Sequence, residues 1–220
     1  MSSKRLCPLC EARPPRRYCP AERQEICAKC CGEGREETIE CPFECEYLRE
    51  ARLHEKLPPF DAAKLPHAEI QLTDAFLERN QELAVVTGRL LLVAALNTPG
   101  AVDLDVRDAL DALVRTFKSS VNGVIYETRP ANMIAAAIQE RFNHELAQFR
   151  QLVTQRQASV TIPDKDLLGV LAFWQRTELQ RHNGRRKGRA FIESLFSIMP
   201  SPEQMQPPGA DQSPGIISPA

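Results

Sequence analysis

Eight cysteines lie within the first 45 residues of this 220-residue chain, and no cysteine follows them. They are Cys7, Cys10, Cys19, Cys27, Cys30, Cys31, Cys41 and Cys45. Two cysteines separated by two residues place their sulfur atoms on one side of a tight loop, where they can share one metal ion. Eight thiolates make two complete sets of four, and zinc prefers four soft ligands in a tetrahedron. The spacing therefore predicts two Zn²⁺ ions per chain, held by all eight cysteines.

A disulfide framework and an iron–sulfur cluster are the two alternative uses of these cysteines. Disulfides need an oxidising compartment, but the residues before Cys7 contain no apolar stretch of the kind found in secretory signal peptides. The C-x2-C-x2-C-x3-C-P run of bacterial iron–sulfur proteins is absent. Zinc is therefore favoured, and we expect a cytoplasmic protein.

The adjacency of Cys30 and Cys31 constrains how two zinc sites would share the ligands. Neighbouring side chains usually point in different directions, so one tetrahedral ion does not readily take both. We therefore predict interleaved sites rather than two consecutive sets of four. The first set would contain Cys7, Cys10, Cys27 and either Cys30 or Cys31. The second set would contain the remaining member of that pair with Cys19, Cys41 and Cys45.

The order Cys7-x2-Cys10, Tyr18-Cys19-Pro20, Cys27-x3-Cys31 and Cys41-x3-Cys45 resembles the small two-zinc fingers of the HIT and B-box type. The resemblance covers about the first quarter of the chain. It implies interleaved zinc sites and a role in protein contact. Those families usually include one or more histidines, whereas no histidine precedes His54 here, and Glu22 stands where the HIT pattern has another cysteine.

The elements that would position these ligands form a small cysteine-rich unit. We expect a turn containing Gly32 and Gly34, a short strand over residues 35–40, and a helix starting near Pro42 and ending near Lys56.

The chain as a whole is predicted to be mainly α. A two-zinc finger with a short hairpin and a helix would occupy residues 1–57. A proline-containing linker would span 58–66, an all-α helical bundle 67–198, and a disordered tail 199–220. Apolar periodicity within the bundle predicts five helices. They would span residues 67–97, a second stretch capped by Asp103 and ending before Asn122, residues 130–157, a stretch from Pro163 to Gly184, and residues 190–198.

No pattern in the chain is typical of an enzyme. Four thiolates leave no position for water on zinc, whereas a catalytic zinc ion keeps one. The remaining sequence has no glycine-rich phosphate loop, no H-E-x-x-H motif and no nucleophile elbow. We interpret His144 and Glu145 as an exposed pair rather than an acid–base pair, and His54 as an exposed helix residue rather than a ninth ligand.

Two basic clusters could contact an anionic partner. One lies between Arg13 and Arg17, beside the first cysteines, and the other between Arg181 and Arg189. The residues predicted to contact phosphate or carboxylate are Arg16, Arg17, Arg181, Arg185, Arg186, Lys187 and Arg189. Alternatively, the first cluster compensates thiolate charge and the second lies favourably at a helix C-terminus.

The leading functional hypothesis is an adaptor protein whose structural zinc finger docks onto a protein partner. The alternative hypothesis is a nucleic-acid-binding protein that uses the two basic clusters. The net charge of −1 gives the whole chain no bias toward polyanions. No apolar run reaches the length needed to span a membrane, so a membrane partner is not expected.

Overall fold

The computed structural model describes residues 5–56, 65–156 and 161–199. Its fold is mainly helical, as predicted, with one two-stranded hairpin near the N-terminus. The elements of the described residues are β1 (Arg17–Cys19), β2 (Gln24–Ile26), α1 (Ala28–Gly34), α2 (Glu46–Leu53), α3 (Asp74–Arg79), α4 (Gln81–Leu96), α5 (Asp103–Val121), α6 (Met133–Arg156), α7 (Asp164–Arg181) and α8 (Ala190–Ile198).

The N-terminal part, residues 5–56, is called the finger below. Its strands β1 and β2 are antiparallel, and Arg17 pairs with Ile26 in their register. Its small core contains buried cysteines together with Ile26, Ile39 and Leu48. Because so few large apolar side chains are buried, packing alone supplies little stability to this part of the chain.

Two local predictions for the finger are wrong. Gly32 and Gly34 lie in helix α1 rather than in a turn, because Cys27 begins that helix and its Sγ accepts a hydrogen bond from Cys30 N at 3.4 Å. Residues 35–40 do not form a strand. Arg35 and Ile39 form a single isolated bridge around a tight turn, and α2 begins only at Glu46.

The helical part, residues 65–199, has its own apolar core. Helix α5 packs against α6 and α7, α4 packs against the same two helices, and α8 contacts α4, α5 and α7. The fully buried side chains at the centre include Val106, Leu110, Leu113, Ile138, Phe142, Leu167, Leu171 and Phe191. The bundle architecture predicted from apolar periodicity is therefore present.

The helix predicted over residues 67–97 is instead two helices. Helix α3 begins after Thr73, whose Oγ1 accepts from Phe76 N at 3.2 Å. Helix α3 then ends at the buried Asn80, whose side-chain amide donates to Phe76 O at 3.1 Å. An asparagine that hydrogen-bonds the preceding turn ends a helix more readily than it continues one.

Two predicted segments fall largely outside the described residues. Of the linker at 58–66, only Leu65 and Pro66 are described. Of the tail at 199–220, only Met199 is described.

Helices α4 and α7 approach closely where Gly88 faces Trp174. A Cβ atom added to Gly88 would lie 2.3 Å from the indole ring. The indole cannot easily move aside, because its Nε1 donates to Ala84 O and to Thr87 Oγ1, each at 3.1 Å. The absence of a side chain at residue 88 therefore sets the distance between these two helices.

We predict that Gly88→Ala destabilises the protein by about 1–3 kcal/mol, because it overpacks this contact. The control is Gly32→Ala, since no atom lies within 4 Å of a Cβ added at that helical position. That variant should be neutral or gain about 0.5–1 kcal/mol. Urea unfolding followed by circular dichroism measures both changes. Equal unfolding midpoints for the two variants would contradict the close-packing argument.

Candidate metal centre

Four cysteines of the finger form a compact cluster. The sulfur atoms of Cys7, Cys10, Cys27 and Cys30 all lie within 4.8 Å of one another. The Sγ atoms of Cys10 and Cys27 are 3.8 Å apart. Tetrahedral zinc with bonds of about 2.3 Å holds its sulfur ligands about 3.8 Å apart, whereas a disulfide would require about 2.05 Å. The geometry therefore fits one tetrahedral metal ion and does not fit a disulfide.

Two short segments bring these four cysteines together. Cys7 and Cys10 lie in a tight turn in which Cys7 O accepts from Cys10 N at 3.3 Å and from Glu11 N at 2.7 Å. Cys27 and Cys30 lie at the start of α1, and the β1–β2 hairpin connects the two segments. The structure thus groups Cys30, rather than Cys31, with Cys7, Cys10 and Cys27.

The pKa values of Cys10 and Cys30 are shifted by interactions within and around this cluster. The pKa of Cys10 is lowered to about 6, chiefly because the backbone N–H of Ala12 donates to its sulfur. The pKa of Cys30 is raised to about 12, chiefly through its hydrogen bond with Cys27. Neighbouring thiols share protons in this way because adjacent negative charges repel. A divalent cation at the centre would offset that repulsion and favour all four thiolates.

The other four cysteines lie in the same finger but are less closely grouped. Cys19, Cys41 and Cys45 are buried in its core, and Cys31 packs against that core. Burial raises the pKa of Cys41, and the nearby Cys45 and Cys19 raise it further. Within the described residues, only the first set meets the geometry of a metal-binding group.

The first basic cluster is partly committed to the finger itself. Arg17 Nη1 donates to Cys31 Sγ at 3.6 Å, and the guanidinium lies 4.7 Å from the centre of the Tyr47 ring. Arg16 is exposed. Arg17 therefore contacts a cysteine and an aromatic ring of the finger, and whether it contacts an external anion stays a prediction.

The second basic cluster lies against the finger. Arg185 Nη1 donates to Arg35 O at 2.6 Å, and Lys187 Nζ donates to Thr38 O at 3.1 Å. Arg189 lies 4.0 Å from the centre of the Phe43 ring, and its Nη2 donates to Cys41 O. Arg181 and Arg186 are exposed. Contact of the cluster with an external anion stays a prediction, whereas three of its cations make internal contacts.

Sequence reasoning missed the residue that organises these contacts. Glu36 is only 1% exposed and adopts the left-handed backbone conformation, with φ of 53°. Its Oε1 accepts from Arg52 Nη2 at 2.6 Å and from Arg189 N at 3.0 Å, and its Oε2 accepts from Asn183 Nδ2 at 2.8 Å. In the sequence it is one of several glutamates between residues 33 and 40, and no pattern distinguishes it from the others.

Two more buried carboxylates lie near this contact. Asp103 accepts from Phe191 N at 2.9 Å and from Ile192 N at 3.1 Å, and so caps α8. The pKa of Asp103 is raised to about 7, chiefly by burial and also by the nearby carboxylates of Glu178 and Glu36. The two backbone donors act in the opposite direction. Glu178 forms a two-pronged ion pair with Arg107, at 2.8 and 2.9 Å.

The histidines considered in the sequence are not part of the cysteine cluster. His54 is exposed at the C-terminal end of α2. His144 is exposed on α6, where its Nε2 lies 2.8 Å from Gln148 Nε2. His54 and His144 are thus exposed as interpreted, whereas Glu145, the second member of the predicted exposed pair, is half-buried.

No family of known proteins matches this chain, and no curated protein or solved structure is significantly similar to it. The cysteine cluster is consistent with a zinc finger, without assigning the chain to the HIT or B-box type. Among the described residues, no helix has the length and apolar character needed to cross a membrane. The fold and site define a mainly helical protein with a four-cysteine cluster that could bind a metal ion.

We predict that Asp103→Asn removes one source of pH-dependent stability. The pKa of Asp103 is about 7 in the fold and near 3.9 in an unfolded chain, so between these values the folded state binds more protons. Its contribution to stability is present at low pH and is lost as the pH rises through about 7. The asparagine variant should therefore gain stability relative to the parent from about pH 6 to about pH 8.

Urea unfolding of both proteins at matched metal content measures this difference. Metal release affects parent and variant alike, so it cancels in the comparison. A difference that stays constant across this pH range would show that Asp103 does not titrate there.

Proposed function

We propose that this protein is a zinc-stabilised adaptor in which the finger docks onto a protein partner. The observation that carries this proposal is the closed four-thiolate cluster of Cys7, Cys10, Cys27 and Cys30. Such a cluster fills the tetrahedron around zinc and leaves no position for a substrate or for water. The role of the metal is therefore to build the finger, since the fold of a small unit with few buried apolar side chains depends on metal-binding energy.

A second zinc ion would use Cys19, Cys31, Cys41 and Cys45. Three of these residues are already buried in one core, and Arg17 donates to the fourth. Four thiolates around one Zn²⁺ carry a net charge of −2, and a guanidinium at the edge of the site offsets part of it. Cys30 and Cys31 would belong to different sets because the side chains of neighbouring residues on α1 point in different directions.

We predict about two equivalents of zinc in protein purified without added metal. Cys10→Ser and Cys41→Ser should each lose one equivalent, because each variant removes one ligand from a different set. Elemental analysis measures zinc and iron in the same samples. One equivalent in the parent protein would contradict the second site, and iron with visible absorbance would contradict the choice of metal.

The docking surface that we propose lies on the outer face of the hairpin. Tyr18 is 58% exposed, because alternate residues of β1 face opposite sides and Cys19 faces the core. With Leu6 and Pro8 it lines an open cleft, and Arg5, Gln24 and Glu25 complete the lining. An exposed aromatic ring beside aliphatic side chains, rimmed by polar residues, is typical of the centre of a protein–protein interface.

We predict that Tyr18→Asp abolishes capture of the partner by metal-loaded protein, because it places a charge at the centre of the apolar contact. The matched control is Tyr126→Asp, since Tyr126 is 65% exposed on the loop between α5 and α6. Quantitative pull-downs with the two variants, with and without nuclease, measure the effect. Loss of capture only with Tyr126→Asp would move the docking surface to the helical part. Loss of all partners after nuclease would favour the nucleic-acid alternative.

A further inference from the structure

We propose that metal in the finger controls the availability of a cationic loop in the helical part. The loop comprises residues 182–189, between α7 and α8, and it is held by the turn at residues 35–41 of the finger. The hydrogen bonds between this turn and this loop are called the latch. The inference rests on the proposed binding of metal by the finger and adds a conformational consequence that the proposed function does not contain.

The backbone of the turn supplies the first half of the latch. The carbonyl oxygens of Arg35 and Thr38 accept from the side chains of Arg185 and Lys187, at 2.6 and 3.1 Å. Glu36 O accepts from Lys187 N at 2.7 Å. Acceptors of this kind are aligned only while the turn keeps its conformation, so the cations are held only by an ordered finger.

The side chain of Glu36 supplies the second half. Its carboxylate accepts from Asn183 Nδ2 and Arg189 N in the loop and from Arg52 in the finger. A left-handed backbone at a residue other than glycine and a buried charge are each unfavourable unless surrounding contacts compensate them. The conformation of Glu36 therefore depends on the finger and the loop being in place together.

Candidate metal ligands lie at both ends of this turn of the finger. Helix α1, which precedes it, carries Cys30 and Cys31, and Cys41 is the last residue of the turn. Gly34 O, at the end of α1, accepts from three backbone N–H groups of the turn at 2.9–3.1 Å. Loss of metal would release Cys31 of α1 and Cys41 from the second zinc ion that we propose they share. The acceptors of the latch would then lose their alignment.

Release of the latch changes the chemistry of the loop. The loop carries four cations. In the latched state three of them, Arg185, Lys187 and Arg189, contact the finger, and the fourth, Arg186, is exposed. In the released state, all four side chains are free to contact phosphate or carboxylate groups. The cationic cluster thus becomes an anion-binding segment in the metal-free state. Thermodynamic linkage requires the reverse effect as well, so that disrupting the latch weakens metal binding.

Hydrogen exchange on the full-length chain, before and after removal of metal with EDTA, tests the proposal. We expect amide exchange over residues 183–189 to accelerate at least about tenfold after chelation, while the α5 core around Leu110 keeps its protection. Unchanged exchange in the loop, combined with faster exchange in the finger, would overturn the latch but leave the metal proposal intact. Absence of metal from the untreated protein would overturn both, and elemental analysis of the same samples distinguishes the two results.

A pair of glutamate variants isolates the latch from metal loss. Glu36→Gln removes the charge that Arg52 and the loop surround, whereas Glu37→Gln changes the neighbouring residue in the same turn. In metal-loaded protein, Glu36→Gln should accelerate loop exchange and weaken zinc binding several-fold in competition with a chromophoric chelator. Glu37→Gln should do neither. Equal behaviour of the two variants would overturn the proposal.

A milder pair serves if Glu36→Gln also lowers protection in the α5 core. Arg185→Met removes one latch hydrogen bond, and Arg186→Met removes the neighbouring exposed cation. Only Arg185→Met should accelerate exchange in the loop. Equal exchange in these two variants would likewise overturn the latch.

Discussion

The buried carboxylate of Glu36 is the constraint on which the arrangement of the finger and the helices depends. A charge removed from water is stable only if donors surround it, and those of Glu36 come from α2 and from the loop after α7. Arg52, which donates to it, also contacts Glu55 at 2.6 Å and Glu193 at 3.0 Å. A displacement of the finger from the helices would leave several charges without partners at once, so this polar contact specifies a single arrangement.

Two other buried carboxylates, those of Asp103 and Glu178, lie near this junction. Strongly shifted pKa values are common at active sites, and Asp103 has one. Its carboxylate, however, accepts the backbone N–H groups that begin α8, and Glu178 is fully occupied by Arg107. The contacts of Asp103 and Glu178 position the ends of α5, α7 and α8.

The four-cysteine cluster and this junction are two features that can order the finger. Four close sulfur atoms can fix the local fold through a metal ion, and the polar junction fixes the orientation of that fold on the helices. Division of the chain into a finger at 1–57 and a bundle at 67–198 stays a prediction about folding units. The contacts show that the finger and the helical part share a network of hydrogen bonds, to which Arg185, Lys187 and Arg189 contribute from the helical part, together with the Arg52–Glu193 ion pair.

The sequence alone determined the mainly helical fold and three members of the four-cysteine group, Cys7, Cys10 and Cys27, because apolar periodicity and C-x2-C spacing are local signals. It left open whether Cys30 or Cys31 joins the first set, and it could not indicate the helix break at Asn80, since both depend on the direction of single side chains. Only the tertiary structure showed the internal contacts that the cationic loop and Glu36 make. The donors of Glu36 lie 16 to 153 residues away in the chain, and no local pattern records a charge whose partners are brought to it by folding.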